Sequence, residues 1–222
     1  MIETSTFKFL KELNKNNNKE WFEKNRKQYE NAKVNFLQFA KELIIGFGKI
    51  DASIAHLEPK KIIFRINRDM RFSKDKSPYK TNMGLFLSKS GKNATHAGYY
   101  FHLQPGECFV GGGLYMPMPD ILAKVRQEID YNWAEFNKII TNKKFVSHFK
   151  ELDKLKEYTL TRPPKGYDDN NPAIEYLKMK TWIAGKKISD EELLDKKIIK
   201  NLVGSFEALK PTIDFFNRAI DS

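Results

Sequence analysis

The sequence contains a single cysteine, Cys108, among its 222 residues. One thiol cannot form a disulfide within the chain or a thiolate metal centre, and no C-x-x-C redox pair exists. Cys108 lies in the predicted strand E-C-F-V, where a small buried thiol is the favoured interpretation. A catalytic thiol would need an open, electropositive setting, which the sequence alone does not establish.

Long apolar runs are also missing. No run approaches the roughly 18 to 20 residues that cross a bilayer. The start, M-I-E-T-S-T-F-K, has early charges and lacks the apolar stretch of a secretory signal. A mean hydropathy of -0.59 indicates a well-solvated exterior. We therefore predict a cytoplasmic protein that does not associate with membranes.

Several common motifs of enzymes are absent from the chain. There is no G-x-x-x-x-G-K-[ST] phosphate loop, no G-x-G-x-x-G nucleotide fingerprint and no G-x-S-x-G nucleophile elbow. The four histidines show neither H-x-x-x-H nor H-E-x-x-H spacing, so we predict no metal site and no cofactor. These absences argue against the common ATPases, dehydrogenases and serine hydrolases, and they leave an unfamiliar enzyme open.

Positive charge is concentrated in the middle of the chain. The formal net charge is +11, and residues 57–117 hold 10 basic and 4 acidic residues, which is more than half of that excess. Such an asymmetry points to an anionic partner or substrate, either a phosphorylated small molecule or a nucleic acid. Solvated lysines without any partner are the alternative. The sequence does not indicate an oligomeric state.

The centre of this charge is residues 61–80, K-I-I-F-R-I-N-R-D-M-R-F-S-K-D-K-S-P-Y-K, which we call the basic segment. An apolar run leads there into seven cations: Lys61, Arg65, Arg68, Arg71, Lys74, Lys76 and Lys80. Close like charges repel, so folding alone gives no reason to gather them. Arginine offers a planar fork of donors that matches phosphate or carboxylate, and lysine adds a point charge.

We therefore predict an anion-binding site in the basic segment. Its candidate ligand-binding residues are Arg65, Arg68, Arg71, Lys74, Lys76, Tyr79 and Lys80. Asp69 and Asp75 could orient the arginines through ion pairs, or one of them could act as a base. The alternative is a structural one, in which a salt-bridged loop clamps the N-terminal helix to the sheet.

Two further groups of residues are candidates for the site. Gly111, Gly112 and Gly113 end a predicted strand, where their N–H groups could form an anion nest or where they could simply make a bulge or turn. Tyr100 and His102 share a face of another predicted strand with Gln104. Histidine can move protons near neutral pH, so His102 is a third candidate catalytic group, with a hydrogen-bonded structural histidine as the alternative.

The pattern of apolar residues predicts an α+β fold in a single domain over residues 1–222. We expect a mainly antiparallel sheet of about four to five strands within residues 61–113, with a late strand near 180–184, packed by N-terminal and C-terminal helices. The predicted strands are 61–67, 83–88, 98–104 and 107–113. In the first, alternation places Ile62, Phe64 and Ile66 on one face.

Local signals mark where the helices start and end. Phe7, Leu10 and Leu13 have helical spacing. Three capping boxes are predicted, Asn17 with Glu20, Asn132 with Glu135 and Ser189 with Glu192. Pro119 suits a first helical position, and Pro211 should kink or restart the last helix.

The stretch R-D-M-R-F-S-K-D-K-S-P-Y-K resembles the signature of a protein family known as domain of unknown function 2461. Other matching stretches are F-x-F-L-x-x-L near the start, N-N-x-K-E-W-F, Tyr29, A-G-Y-Y at 97–100, G-G-G at 111–113 and L-K-P at 209–211. The resemblance covers nearly the whole chain and implies a shared architecture. It implies no reaction.

Two main functions are consistent with these observations. The first is a module that binds a phosphorylated or nucleic-acid ligand through the basic segment. The second is an enzyme for a small anionic substrate, in which arginines hold the anion and Asp69, Asp75 or His102 handles protons. A closed, ligand-sized pocket would favour the enzyme, and an open basic surface would favour the binding module. A third interpretation is a structural or protein-interaction domain.

Overall fold

The computed structural model of the chain describes residues 1–69, 71, 75–92 and 95–222. Lys74, one of the predicted ligand-binding residues, lies outside them. The predicted fold class is confirmed, because the chain is α+β with one antiparallel sheet of four strands and helices packed on the sheet.

The N-terminal part of the chain is helical. Its elements are α1 Thr4–Lys15, α2 Lys19–Lys24, α3 Arg26–Phe47, a 3₁₀ turn Ala52–Ile54 and the short α4 Pro59–Ile62. The apolar stripe of α1 is buried, as its spacing predicts. The predicted cap at Asn17 is wrong, because Asn18 is the N-cap of α2 and accepts the Trp21 N–H at 2.9 Å.

The sheet has the strand order β1–β2–β3–β4. The strands are β1 Met83–Leu87, β2 Gly98–Leu103, β3 Phe109–Leu114 and the late β4 Trp182–Lys187. In β2 the side chains of Tyr99, Phe101 and Leu103 are buried, whereas Tyr100 and His102 are half-buried. Alternation therefore delivers the two polar residues to the face opposite the core.

The C-terminal part of the chain is again mainly helical. Its elements are α5 Pro119–Tyr131, α6 Trp133–Ile140, α7 Lys143–Phe149, a 3₁₀ turn Lys156–Tyr158, α8 Ile174–Leu177, α9 Asp190–Leu194 and α10 Ile198–Asp221. Pro119 is the first residue of α5, and the capping box of Ser189 and Glu192 starts α9, both as predicted. The predicted box at Asn132 and Glu135 is wrong, because Asn132 is the N-cap of α6 but its side chain makes no cap hydrogen bond. Helix α10 continues through Pro211, so it does not restart there.

The predicted strand over residues 61–67 is wrong. Residues Pro59–Ile62 form α4, because a proline is well suited to the first turn of a helix. Beyond α4, Ile63 and Asn67 make isolated antiparallel bridges, Ile63 with Leu85 and Asn67 with Tyr79.

The described residues form two compact units. The first comprises Met1–Leu87, Tyr100–Val110 and Lys187–Val203, and the second comprises Ser88–Tyr99, Gly111–Lys186 and Gly204–Ser222. In the first unit Phe39 packs on Phe101, and in the second Tyr99 packs on Phe206. The single domain over residues 1–222 stays a prediction.

No helix in the described part of the chain combines the length and apolar character that crossing a membrane requires.

Candidate anion-binding site

The basic segment folds back on itself. The Arg68 N–H donates to the Pro78 carbonyl at 2.9 Å, and the Lys80 N–H donates to the Ile66 carbonyl at 2.7 Å. With the bridge between Asn67 and Tyr79, these bonds close a hairpin-like loop. The described cations of residues 65–80 therefore lie on one loop and on the two chain segments that lead into and out of it.

One end of this loop is anchored at Tyr79. The Tyr79 side chain is only 6% exposed, and its ring stacks on Phe22 with the centroids 3.9 Å apart and the planes 13° apart. The Asn17 amide donates to the Tyr79 carbonyl at 2.9 Å and accepts the Tyr79 N–H at 3.1 Å. Tyr79 thus fastens the segment to the region where α1 meets α2.

The two acids of the segment hold two of its arginines. Arg71 donates two hydrogen bonds to the Asp69 carboxylate, from Nε at 3.0 Å and from an Nη at 2.7 Å. An Arg68 Nη lies 3.0 Å from an Asp75 oxygen. The Arg71 hydrogen bonds lower the pKa of Asp69. Hydrogen bonds from Ser77, with the charge of Arg68 as a smaller contribution, lower the pKa of Asp75. Carboxylates held ionised in this way are poor proton carriers near neutral pH.

Several cations of the loop face solvent. The side chains of Arg65, Arg71 and Lys76 are exposed, and Lys80 is half-buried with its Nζ 5.7 Å from the centre of the Phe64 ring. Arg68 differs, because its side chain is only 24% exposed and its buried Nε has no hydrogen-bond partner among the described residues. The loop therefore presents an open basic surface, with Arg68 beneath it.

A row of polar side chains lies on β2. The Tyr100 hydroxyl donates to His102 Nδ1 at 2.9 Å, and His102 Nε2–H donates to the Gln104 side-chain oxygen at 3.2 Å. The Asn82 amide approaches the same Nδ1 at 3.4 Å, and Phe109 stacks on the imidazole at 4.8 Å. Because a side-chain carbonyl can only accept, these partners assign the proton of His102 to Nε2.

Burial keeps this polar row neutral. It raises the pKa of Tyr100 to about 12. It also lowers the pKa of His102, against smaller opposing effects of Gln104 and Glu107. Both ring nitrogens of His102 already have partners, so proton transfer to a ligand would require one of those bonds to open. The catalytic role of His102 stays a prediction.

The three glycines lie inside β3, and neighbouring backbone fills the space above them. A β-carbon on Gly111 would collide with the Ala184 carbonyl, and one on Gly113 with the Trp182 carbonyl. Gly113 also has a φ of +131°, which favours glycine. These contacts give the glycines a structural reason to be there, and their ligand-binding role stays a prediction.

A shallow depression lies beside Phe64. It encloses about 20 Å³, which is room for about one water molecule. Its walls are formed by Tyr29, Lys33, Phe36, Ile63, Phe64, Ile66, Asn82 and Met83. Ligand pockets usually measure about 300 Å³ or more, so this depression does not enclose a metabolite.

Two predicted groups meet in the first unit. The ring of Phe64, from the basic segment, contacts the ring of Tyr100 edge-on with the centroids 6.2 Å apart. Gly111, Gly112 and Gly113 belong to the second unit. Cys108 is 1% exposed, which confirms the predicted buried thiol, and burial raises its pKa to about 12.

Sequence reasoning missed a hydrogen-bonded chain in the second unit. Ser90 Oγ lies 2.7 Å from His96 Nδ1, and His96 Nε2 lies 3.1 Å from Asp221 Oδ1, while the other oxygen of Asp221 pairs with Lys89. A serine next to a base is the arrangement of an activated nucleophile, but Ser90 and Asp221 are exposed and Asp221 is shared with a lysine. The chain fastens the end of α10, and a separation of 125 residues leaves no sequence signal for it.

A protein-family model described as "Conserved hypothetical protein (DUF2461)" matches residues 5–215. The match includes the basic segment, the polar row on β2 and the three glycines. No curated protein and no solved structure matches the chain. The resemblance seen in the sequence is confirmed, and the chain belongs to the DUF2461 family of conserved hypothetical proteins.

Proposed function

We propose that the protein binds a phosphate-bearing ligand, and specifically a nucleic acid, through the exposed cations of the basic segment. The observation that carries the proposal is the open loop on which Arg65, Arg71 and Lys76 face solvent. An open surface suits a polymer with repeated phosphates better than a small metabolite, which proteins usually enclose. The proposed location is the cytoplasm, where nucleic acids are accessible.

The enzyme alternative has less support. Asp69 and Asp75 are ionised partners of arginines, which leaves them poorly suited to proton transfer. The depression beside Phe64 is too small for a substrate. His102 is the candidate that remains, and its two ring nitrogens are already hydrogen-bonded.

The clamp alternative explains several contacts of the segment, including the ion pairs of Arg68 with Asp75 and of Arg71 with Asp69. It accounts for Tyr79, which is buried against Phe22 and bonded to Asn17. It accounts partly for Arg68, which bonds to the Tyr79 carbonyl at 3.4 Å. It gives Arg65 only a weak role, because the charge of Arg65 is a minor contribution beside the Arg71 hydrogen bonds to Asp69. Binding of an external anion gives its exposed side chain a stronger one.

Fluorescence anisotropy with labelled single-stranded RNA and duplex DNA, at several salt concentrations, tests the proposal. We expect a log–log slope of affinity against salt of about -3 or steeper, which corresponds to roughly three or more neutralised phosphates. Arg65→Gln should reduce the magnitude of the slope by about 1. Arg162→Gln is the matched control, because Arg162 is an exposed arginine of the second unit.

Absence of binding even at low salt would contradict a nucleic-acid ligand. A screen of phosphorylated metabolites would then be the next experiment, since the same arginine chemistry recognises a free phosphate group.

A further inference from the structure

Phe64 is an unusual residue within the basic segment. Its side chain is 38% exposed, and no other phenylalanine that the structure describes is as exposed. Strand alternation would have buried it with Ile62 and Ile66, which are 0% and 4% exposed. A large aromatic side chain therefore faces solvent, next in sequence to Arg65.

The ring is held in place rather than left mobile. The Phe64 N–H donates to the Gly84 carbonyl at 2.9 Å, which ties its backbone to β1. Its ring meets that of Tyr100 edge-on, at 6.2 Å and 60°. Tyr100 is itself fixed by its bond to His102. An aromatic side chain ordered in advance loses little conformational entropy when a ligand packs on it.

One cation contacts this ring, and others lie nearby in the sequence or on the same depression. Lys80 Nζ lies 5.7 Å from its centre, and Arg65 follows it in the chain. On the same depression, Lys33 Nζ lies 5.7 Å from the centre of the Tyr29 ring. Aromatic rings interleaved with cations are the pattern by which proteins hold single strands, with bases on the rings and phosphates on the cations.

We propose that Phe64 is a stacking platform for a base, and that the ligand of the basic segment is a single-stranded nucleic acid. The inference rests on the proposed function and adds that the nucleic acid is single-stranded. Every base has a π-face that can stack on Phe64, whereas duplex bases are stacked on each other and cannot reach it. Arg65 and Lys80 then contact the phosphates that flank the stacked base.

The test compares three labelled ligands of equal length: a single-stranded DNA, an abasic single strand with the same phosphates, and a duplex. Wild-type protein should bind the base-bearing strand about 5- to 100-fold more tightly than the abasic strand. Phe64→Leu removes the π-face while keeping apolar bulk, and should lose that preference with an unchanged salt slope. Phe64→Tyr keeps a ring and should retain it.

Ile45→Ala is the matched control, because Ile45 is an exposed apolar residue on α3 in the same unit. It should leave the preference unchanged. Thermal unfolding of each variant separates loss of binding from loss of fold.

Three results would overturn the inference, and only the last of them would also overturn the proposed function. Equal affinity of wild-type protein for the base-bearing and abasic strands, or an unchanged preference in folded Phe64→Leu, would remove Phe64 from the site. Salt-dependent binding would in that case keep the proposed function. Failure of all three ligands to bind at low salt would overturn the proposed function as well.

Discussion

Two parts of the basic segment, the anchored part at Tyr79 and the exposed part at Arg65 and Arg71, serve different purposes. At Tyr79 the side chain is buried and stacked on Phe22, and the backbone makes two hydrogen bonds with Asn17. At Arg65 and Arg71 the side chains face solvent, and the acid that Arg71 grips is exposed as well. The anchored part stabilises the fold, and the exposed part presents charge.

The comparison shows why the clamp and the binding site are not exclusive. A loop that carries many cations needs a firm attachment, because its own charges repel each other. Tyr79 supplies that attachment through apolar contact and backbone hydrogen bonds, which do not depend on charge. The exposed arginines are then carried on a loop that is attached to the fold at Tyr79.

The largest expected change in stability is at Tyr79, in the anchored part. Tyr79→Ala should lower the free energy of unfolding by about 3 to 5 kcal/mol, because a large buried ring is removed and a cavity is left. Urea denaturation measures it. Tyr79→Phe keeps the stack and should stay close to wild type. A Tyr79→Ala protein as stable as wild type would contradict the anchor.

The next effect separates two adjacent asparagines. Asn17→Ala should cost about 1 to 3 kcal/mol, because two Tyr79 backbone groups lose their partner. Asn18→Ala removes only the cap of α2 and should cost about 1 kcal/mol. Urea denaturation of both variants should show a larger loss of unfolding free energy in Asn17→Ala than in Asn18→Ala. The reverse order would contradict the hydrogen bonds between Asn17 and Tyr79 as an anchor.

Substitution of Arg68 should have an effect on stability between those of the anchored part and the exposed part. Arg68→Ala should lower the free energy of unfolding by about 1 to 2 kcal/mol, because the half-buried guanidinium bonds both Asp75 and the Tyr79 carbonyl. Arg71→Ala should leave stability unchanged and reduce the salt slope of nucleic-acid binding by about 1. If both variants lost the same stability, the division between anchor and exposed tip would be wrong.

The smallest effect concerns the polar row that Phe64 touches through Tyr100. Burial lowers the pKa of His102, so the folded protein favours the neutral ring. Its contribution to stability is present above the ordinary value of about 6.5 and is lost as pH falls through the lower folded pKa. NMR titration should place the midpoint of His102 below about 6.5. A midpoint at or above that value would show an open, solvated imidazole.

Much of the fold could be predicted because its signals are local. The apolar spacing of α1, the first-turn proline of α5 and the alternation in β2 each act within a few residues. The strand at 61–67 failed because Pro59 starts a helical turn and Phe64 breaks the buried face. Asn17 and Asn18 carry the same cap signal, and a contact with Tyr79, 62 residues away, decides between them.

The site was predictable in composition and less so in geometry. Charge counting located the basic segment, since clustered cations are visible in the sequence. The assignment of Asp69 to Arg71 and of Asp75 to Arg68 depends on the path of the loop. The exposure of Phe64 depends on the same path, so alternation could not reveal it.

The most direct test of the account measures stability and nucleic-acid affinity together in Arg65→Gln and Asn17→Ala. Urea denaturation and salt-dependent anisotropy with a single-stranded oligonucleotide give both quantities. We expect Arg65→Gln to keep wild-type stability and lose affinity with a shallower salt slope, and Asn17→Ala to lose stability while its folded fraction binds normally. Loss of stability in Arg65→Gln with unchanged affinity would contradict the account.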